Sequence, residues 1–265
     1  QEYYTPFAYD AVLTIVNLYH DLITNHNVKK IEEGQLKNHL MASGIKFNGA
    51  TGSVSFDNNG NRYAGDLKFT IINLFNNIST SSNASSINNG DDSIMWIIDP
   101  IDGTNNFITR YPFFCISIAA YYNGEIICGT IEDPNNGEFF HAIKEKGSYL
   151  NNKRIFVSNE KKLENSIFGT SFVMSKPKSV KKNLMNLLAI MEKTKSFRRS
   201  GSAALDLAYT ACGRQQGYWQ LLPKPWDYAA GILLVEEANG KVTDIEGKKI
   251  NLDSDSILAS NRTNH

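Results

Sequence analysis

A mixed α/β sandwich is the fold this sequence predicts, and three observations predict it. Three β-type runs, 113–122, 125–132 and 138–144, follow one another with turn signals between them. Helix-length apolar segments at 180–194, 202–213 and 227–239 alternate with short strand patterns at 166–172, 217–221 and 241–243. Such interleaving packs as layers. With 265 residues and 42% hydrophobic content, the chain can also bury a sizeable core.

The elements follow in order. Phe7, Val12, Leu13, Val16, Leu18 and Leu22 recur at near-helical intervals. A second helix is expected over 31–43, where Gly44 is placed to stop it. Asn48-Gly49 and Gly52 mark turns, 53–56 reads as a short strand, 57–60 as a turn and 67–74 as another strand. The stretch NNISTSSNASSINNGDDS from Asn76 has almost no apolar residue and no period, so it reads as a flexible linker. The chain thereby divides into residues 1–75, a linker over 76–92 and a larger unit over 93–265. The apolar run 94–98 opens that unit as a strand. Asn123-Gly124 is a hairpin signal, and 133–137 is the next turn.

Charge narrows the partners. Lys and Arg total 27 and Asp and Glu total 27, so the formal charge is zero. That balance argues against a surface built for nucleic acid or anionic membrane. No apolar run approaches the ~18 residues of a membrane span. No basic-then-apolar leader is visible, and three widely spaced cysteines match neither a metal motif nor a disulfide framework. A reducing, cytoplasmic setting is the expectation. The acceptor triplets at Asn77, Asn83 and Asn261 fall in a chain with 29 asparagines, where chance matches are frequent. His20, His26 and His39 are expected on solvated helix positions, and His141 as a half-buried strand residue. Tyr111, Phe113, Phe114, Tyr121 and Tyr122 are expected to pack in the core and strands.

The densest chemistry is Trp96-Ile-Ile-Asp99-Pro-Ile101-Asp102-Gly103-Thr104-Asn-Asn-Phe107. Two carboxylates three residues apart follow an apolar strand, with Pro100 stiffening the turn and Gly103 allowing a sharp bend. Hard cations such as Mg²⁺ take oxygen ligands. Asp99, the Ile101 carbonyl, Asp102 and Thr104 supply carboxylate, carbonyl and hydroxyl oxygens. Two further strings are Pro223-Lys-Pro-Trp226-Asp227-Tyr-Ala-Ala-Gly231 and Arg199-Ser-Gly201-Ser202-Ala203-Ala204, each at an expected helix start. Taken singly, each string also fits local backbone capping, by Asp99 and Asp102 in a turn, Asp227 as a helix cap and Ser202 as another.

Together the three strings resemble the inositol monophosphatase family of Mg²⁺-dependent, lithium-sensitive sugar phosphatases. WIIDPIDGTNNF is similar to its first signature, PKPWDYAAGILLVEEANGKVTD to its second, and GSAALDLAYTACGRQQGYW to the segment between. The resemblance runs from about residue 93 to 261. It implies a layered α-β-α-β-α sandwich of the sugar phosphatase type, here N-terminally incomplete and preceded by a small α+β segment. It implies Mg²⁺ on Asp99, the Ile101 carbonyl, Asp102, Thr104 and Asp227, with Asp99 bridging two ions. Thr104 and Asp102 would be catalytic, and Thr104 would orient the attacking water. Gly103 and Thr104 would hold the phosphate, and Gly201, Ser202, Ala203 and Gln220 would meet the hydroxylated ring. The implied partner is a small phosphorylated polyol, with a homodimer as the expected assembly.

The chain departs from the family pattern in three places. An upstream Glu pair belongs before the first signature, yet no Glu occurs between Glu33 and Glu125. Asp91 and Asp92 stand close to Asp99 and abut the linker. Gln220 stands where the family carries a Glu. The resemblance also expects a final helix beyond His265. An incomplete sheet exposes edges and apolar faces, which favours oligomerisation or poor solubility. Residues 1–75 are instead similar to the closing part of the ligand-binding domain of metabotropic glutamate, GABA-B and natriuretic-peptide type receptors. The Y-D-A-V helix and the F-x-G-x-T-G-x-V-x-F-D-x-x-G string from Phe47 carry that likeness.

Three functions follow. The first is a Mg²⁺-dependent phosphomonoesterase for inositol monophosphate or a related sugar phosphate, weakened by the missing Glu. The second is an inactive relic or fusion that keeps partial metal binding. The third is a receptor fragment with its function in residues 1–75.

Overall fold

A computed structural model describes residues 55–56, 62–63, 95–122 and 124–265. The helices expected over 7–22 and 31–43, the strand expected over 67–74, His20, His26, His39, Asn77, Asn83, Asp91 and Asp92 lie outside those residues. Strand β1 (Ser55–Phe56) pairs antiparallel with β2 (Arg62–Tyr63). The strand expected near residue 53 thus finds a partner at Arg62, immediately after the turn signals.

The larger unit opens with β3 (Met95–Asp102) and a short helix α1 (Thr104–Thr109). Then come β4 (Cys115–Tyr122), β5 (Glu125–Asp133), β6 (Glu138–Ile143), β7 (Gly147–Leu150) and β8 (Lys153–Arg154). Strands β3 to β8 form one antiparallel sheet in sequence order. The β4–β5 turn carries Gly124 at φ 85°. The β7–β8 turn is made by Asn151 and Asn152 at φ 46° and 63°. Asn tolerates this left-handed backbone better than most residues.

The second half follows as β9 (Ile167–Ser171), helix α2 (Pro177–Met191), β10 (Ser196–Arg198), helix α3 (Ala203–Ala211), β11 (Gly217–Leu221), helix α4 (Pro225–Glu237), β12 (Lys241–Thr243) and β13 (Ser256–Ser260). Its sheet has the order β10-β9-β11-β13-β12. The β10–β9–β11 pairs are parallel, and β13 is antiparallel to both β11 and β12.

Helices α3 and α4 lie between the two sheets. One core joins Ile97, Cys115, Ile131 and Phe140 of the first sheet to Leu205 and Leu207 of α3, Leu234 and Val235 of α4, and Tyr218 and Ile257 of the second sheet. Helix α2 covers the far side of the second sheet through Leu187, Phe168 and Trp219. The order is β-α-β-α, four layers of the sandwich that the sequence predicts. The helical layer expected outside the first sheet falls beyond the described residues.

Some expectations need correction. Helix α1 and strands β7, β8, β10 and β13 were not expected. They are short, and pairing to a neighbouring strand or loop closure defines them more than hydrophobic period does. Tyr111, expected in the core, is 57% exposed at the α1–β4 loop, whereas Phe114 is buried. Phe113 is only half-buried and stands edge-on to Tyr209 with centroids 5.5 Å apart.

Candidate functional site

The site begins with a register fault. Residues three apart on a regular strand face opposite sides of the sheet. In β3 the pairing with β4 shifts between Asp99, opposite Ser117, and Asp102, opposite Cys115. A bulge adds a residue and re-aims side chains. Both carboxylates thereby enter one group with Asp227. One oxygen of each lies within 4.8 Å of the others.

Local bonds hold this loop. The Ile101 N–H donates to Asp99 Oδ1 at 3.1 Å. The Thr104 hydroxyl donates to the Ile101 carbonyl at 3.0 Å. Gly103 sits at φ 89°, and a Cβ there would lie 3.1 Å from the Phe113 carbonyl oxygen. Glycine therefore suits this bend for both backbone and space.

Asp227 arrives on α4. The sequence places it at the helix start, and the structure places it three residues in, behind Pro225 at the first position. Its Oδ2 accepts the Lys224 N–H at 2.9 Å, closing the first turn. The capping role and membership of the carboxylate group are therefore combined in one side chain.

Asp102 reaches the third string. Its Oδ2 accepts the Ser202 hydroxyl at 2.5 Å, the Ala204 N–H at 2.8 Å and the Cys115 thiol at 3.8 Å. Ser202 also caps α3, accepting the Leu205 N–H at 3.4 Å. Asn106 of α1 ties the neighbouring loop down, donating from Nδ2 to Phe113 O at 2.7 Å and to Ser200 O at 2.8 Å. Gly201 packs against that amide at φ 94°. Ala203 is buried at the α3 start. Gln220 is buried too, and its Oε1 accepts the Tyr218 hydroxyl at 2.5 Å. Cys115, Asn106 and Ala204 carried no site assignment in the sequence reading. Asn106 and Ala204 stand inside the three sequence strings, which is the available signal.

The electrostatics are those of crowded acids. Burial, reinforced by Asp102 and Asp227, pushes the Asp99 carboxyl well above the usual carboxylate range. Burial raises Asp102 to about 6, opposed by its bonds from Ser202, Ala204 and Cys115. Burial and the charge of Asp102 raise Asp227 to about 7, opposed by the Lys224 N–H, the Lys224 charge and Gln220. The four ion pairs among the described residues include none of the three. Carboxylate, carbonyl and hydroxyl oxygens are what a hard divalent cation takes. A cation would also offset the burial that raises all three carboxyls and the repulsion that adds to it at Asp99 and Asp227. The residues present therefore fit Mg²⁺.

Fold and site define a layered α/β protein with an all-oxygen carboxylate centre where the first sheet meets two helix starts. The model of the inositol monophosphatase family matches residues 71–265. The chain belongs to that family. It is 44% identical over 158 residues to the Nus factor SuhB of Xylella fastidiosa, covering 60% of this chain and 58% of that protein. The inositol monophosphatase of Anabaena (Nostoc) sp. PCC 7120 superposes with a TM-score of 0.62 at 40% identity, over 66% of this chain and 69% of that one. The staphylococcal SaIMPase-II with inositol monophosphate bound gives 0.58 at 30% identity, over 64% of this chain and 66% of that one. This chain thus spans less than two thirds of the Xylella relative. The receptor likeness expected of residues 1–75 has no support in these comparisons, and the family match reaches back to residue 71, ahead of the expected start near 93. Among the described residues, no helix is long and apolar enough to cross a membrane.

Proposed function

We propose that the chain is a Mg²⁺-dependent phosphomonoesterase for inositol monophosphate or a related small sugar phosphate. The observation that carries this reading is the convergence of Asp99, Asp102 and Asp227 within 4.8 Å. Asp99, the Ile101 carbonyl, Asp102, Thr104 and Asp227 would hold Mg²⁺. A divalent cation supplies Lewis-acid charge, which lowers the pKa of water toward neutrality and stabilises a leaving oxygen.

The chain's own groups do the rest. Thr104, anchored on the Ile101 carbonyl, orients the attacking water. Gly103 and Thr104 present backbone N–H groups to the phosphate. Gly201 and Ala203 border the polyol ring, with Ser202 between them and Gln220 on the second sheet. The catalytic unit is residues 93–265, joined through 76–92 to residues 1–75. Its setting is cytoplasmic, and its assembly a homodimer.

A second reading has its own observation. Glu is absent between Glu33 and Glu125, where the family's water-activating carboxylate belongs, so cation binding without turnover is the alternative. Each lost ~1.4 kcal/mol of transition-state stabilisation slows a reaction tenfold. Phosphate release from myo-inositol 1-phosphate, with and without Mg²⁺, decides between them. Mg²⁺-dependent release that Asp227→Asn removes supports the enzyme. Release no greater than that of the variant, from folded protein that binds Mg²⁺, supports binding alone.

A further inference from the structure

Ser202 stands in the string that the sequence assigns to the polyol ring, yet its hydroxyl faces elsewhere. The side chain is fully buried, at 0% exposure. Its shortest bond, 2.5 Å, is donated to Asp102 Oδ2, and the bond it accepts as the α3 cap is 3.4 Å. The Ala204 N–H reaches the same oxygen at 2.8 Å. The Cys115 sulfur lies 3.5 Å from the Ser202 hydroxyl and 3.8 Å from Oδ2. One carboxylate oxygen is therefore surrounded by three donors from two layers of the fold.

A carboxylate has two equivalent oxygens and a soft final torsion. Left to itself, it can exchange them. Donors gathered on Oδ2 break that equivalence. They select which oxygen faces the protein and hold the plane of the group. Partners of this kind orient metal ligands, and their loss costs roughly 10- to 100-fold in metal affinity.

We infer that Ser202 is a positioning residue, which turns Asp102 so that its other oxygen faces Asp99 and Asp227 for a divalent cation. The inference rests on the reading of those three carboxylates as a cation site, and it is independent of turnover. Helix α3 is thus part of the site's frame. Its first residues set a ligand contributed by the other sheet.

The test is Mn²⁺ binding to the full chain, followed by the loss of the free Mn²⁺ signal in electron paramagnetic resonance. Ser202→Ala is expected to weaken the Mn²⁺ dissociation constant by about 10- to 100-fold. Ser202→Thr, which keeps the hydroxyl, is expected to restore it to within about threefold. Ser202→Gly provides a second hydroxyl-free variant, since glycine is itself an acceptable helix cap. It is expected to bind as weakly as the alanine variant, and it serves should that one fail to fold. A hydroxyl that only caps α3 would lower thermal stability and leave Mn²⁺ affinity at the wild-type value, which overturns the inference. So does failure of the threonine variant to recover affinity. Wild-type protein that binds Mn²⁺ but releases no phosphate refutes the phosphatase and leaves the positioning role standing. Wild-type protein that binds no Mn²⁺ overturns both.

Discussion

Asp227 combines two duties at the scale of a single residue. Its carboxylate closes the first turn of α4 and joins Asp99 and Asp102 in one group. Asparagine keeps an oxygen for the Lys224 N–H and removes the charge. Asp227→Asn is therefore expected to leave the fold intact and to cut Mg²⁺-dependent phosphate release by about 100-fold or more, equivalent to about 2.7 kcal/mol in the barrier. An unchanged rate in the same assay counts against the site. Asp206 gives a second prediction. Burial, with the charge of Asp102, raises its carboxyl from 3.8 to about 8, against the bond from the Ser200 hydroxyl. A raised acid holds its proton longer in the folded chain than in the unfolded one. Its contribution is full below the unfolded value and is lost as pH rises through the folded one. Asp206→Asn abolishes that titration. Melting curves from about pH 5 to about pH 8 are expected to move in favour of the variant as pH rises. A constant difference across that range would contradict the shift.

At the scale of elements, the site depends on how closely α4 fits between α3 and the first sheet. A Cβ on Gly231 would stand 2.5 Å from the Leu207 side chain, and one on Gly129 would stand 2.9 Å from the Ala230 Cα. Both contacts are tighter than packed atoms allow. Glycine at these positions lets α4 lie in contact with both neighbours, which sets where Asp227 falls relative to β3. Gly231→Ala is expected to cost about 1–3 kcal/mol by overpacking, less whatever alanine gains as a helix former. Denaturant unfolding measures the cost, and a stability equal to wild type would mean the helices separate freely. Because α4 carries Asp227, the same variant is expected to weaken Mn²⁺ binding.

At the scale of the whole molecule, three acids from two elements, Asp102 buried and Asp99 and Asp227 half-buried, are crowded where two layers meet. The core is more stable when the burial cost and repulsion of these charges are relieved, either by protons or by a cation. In chelator, the melting temperature is expected to fall as pH rises through the raised values of about 6 for Asp102 and about 7 for Asp227. Near pH 7.5, Mg²⁺ at about 100 times its dissociation constant is expected to return about 2.7 kcal/mol. That gain corresponds to several degrees for a chain of this size. Calorimetry with and without Mg²⁺ checks both, and a melting temperature insensitive to Mg²⁺ at that pH would contradict a cation site built on these acids.

The layered α/β class, strands β3 to β6, the three long helices and the residues of the three strings were legible in the one-dimensional pattern. Their signals are local: β-type runs for β4 and β5, the Asn123-Gly124 turn signal between them, and the apolar run that opens β3. Strands β10 and β13 were not legible, because they take their conformation from partner strands, β10 from β9 and β13 from β11 and β12. The receptor likeness of residues 1–75 rested on two short local features, the Y-D-A-V helix and the string from Phe47, and the comparisons do not support it. Residue identity along the chain was enough to point to oxygen ligands and, with the family resemblance, to the expectation of Mg²⁺. The convergence of Asp99, Asp102 and Asp227 was an expectation of the sequence, and the bulge in β3 and the seating of α4 are the means that bring it about. Packing alone decided that the Ser202 hydroxyl turns inward to Asp102. The physical reason is that side-chain direction depends on strand register and on contacts between distant elements, and neither is encoded in local spacing.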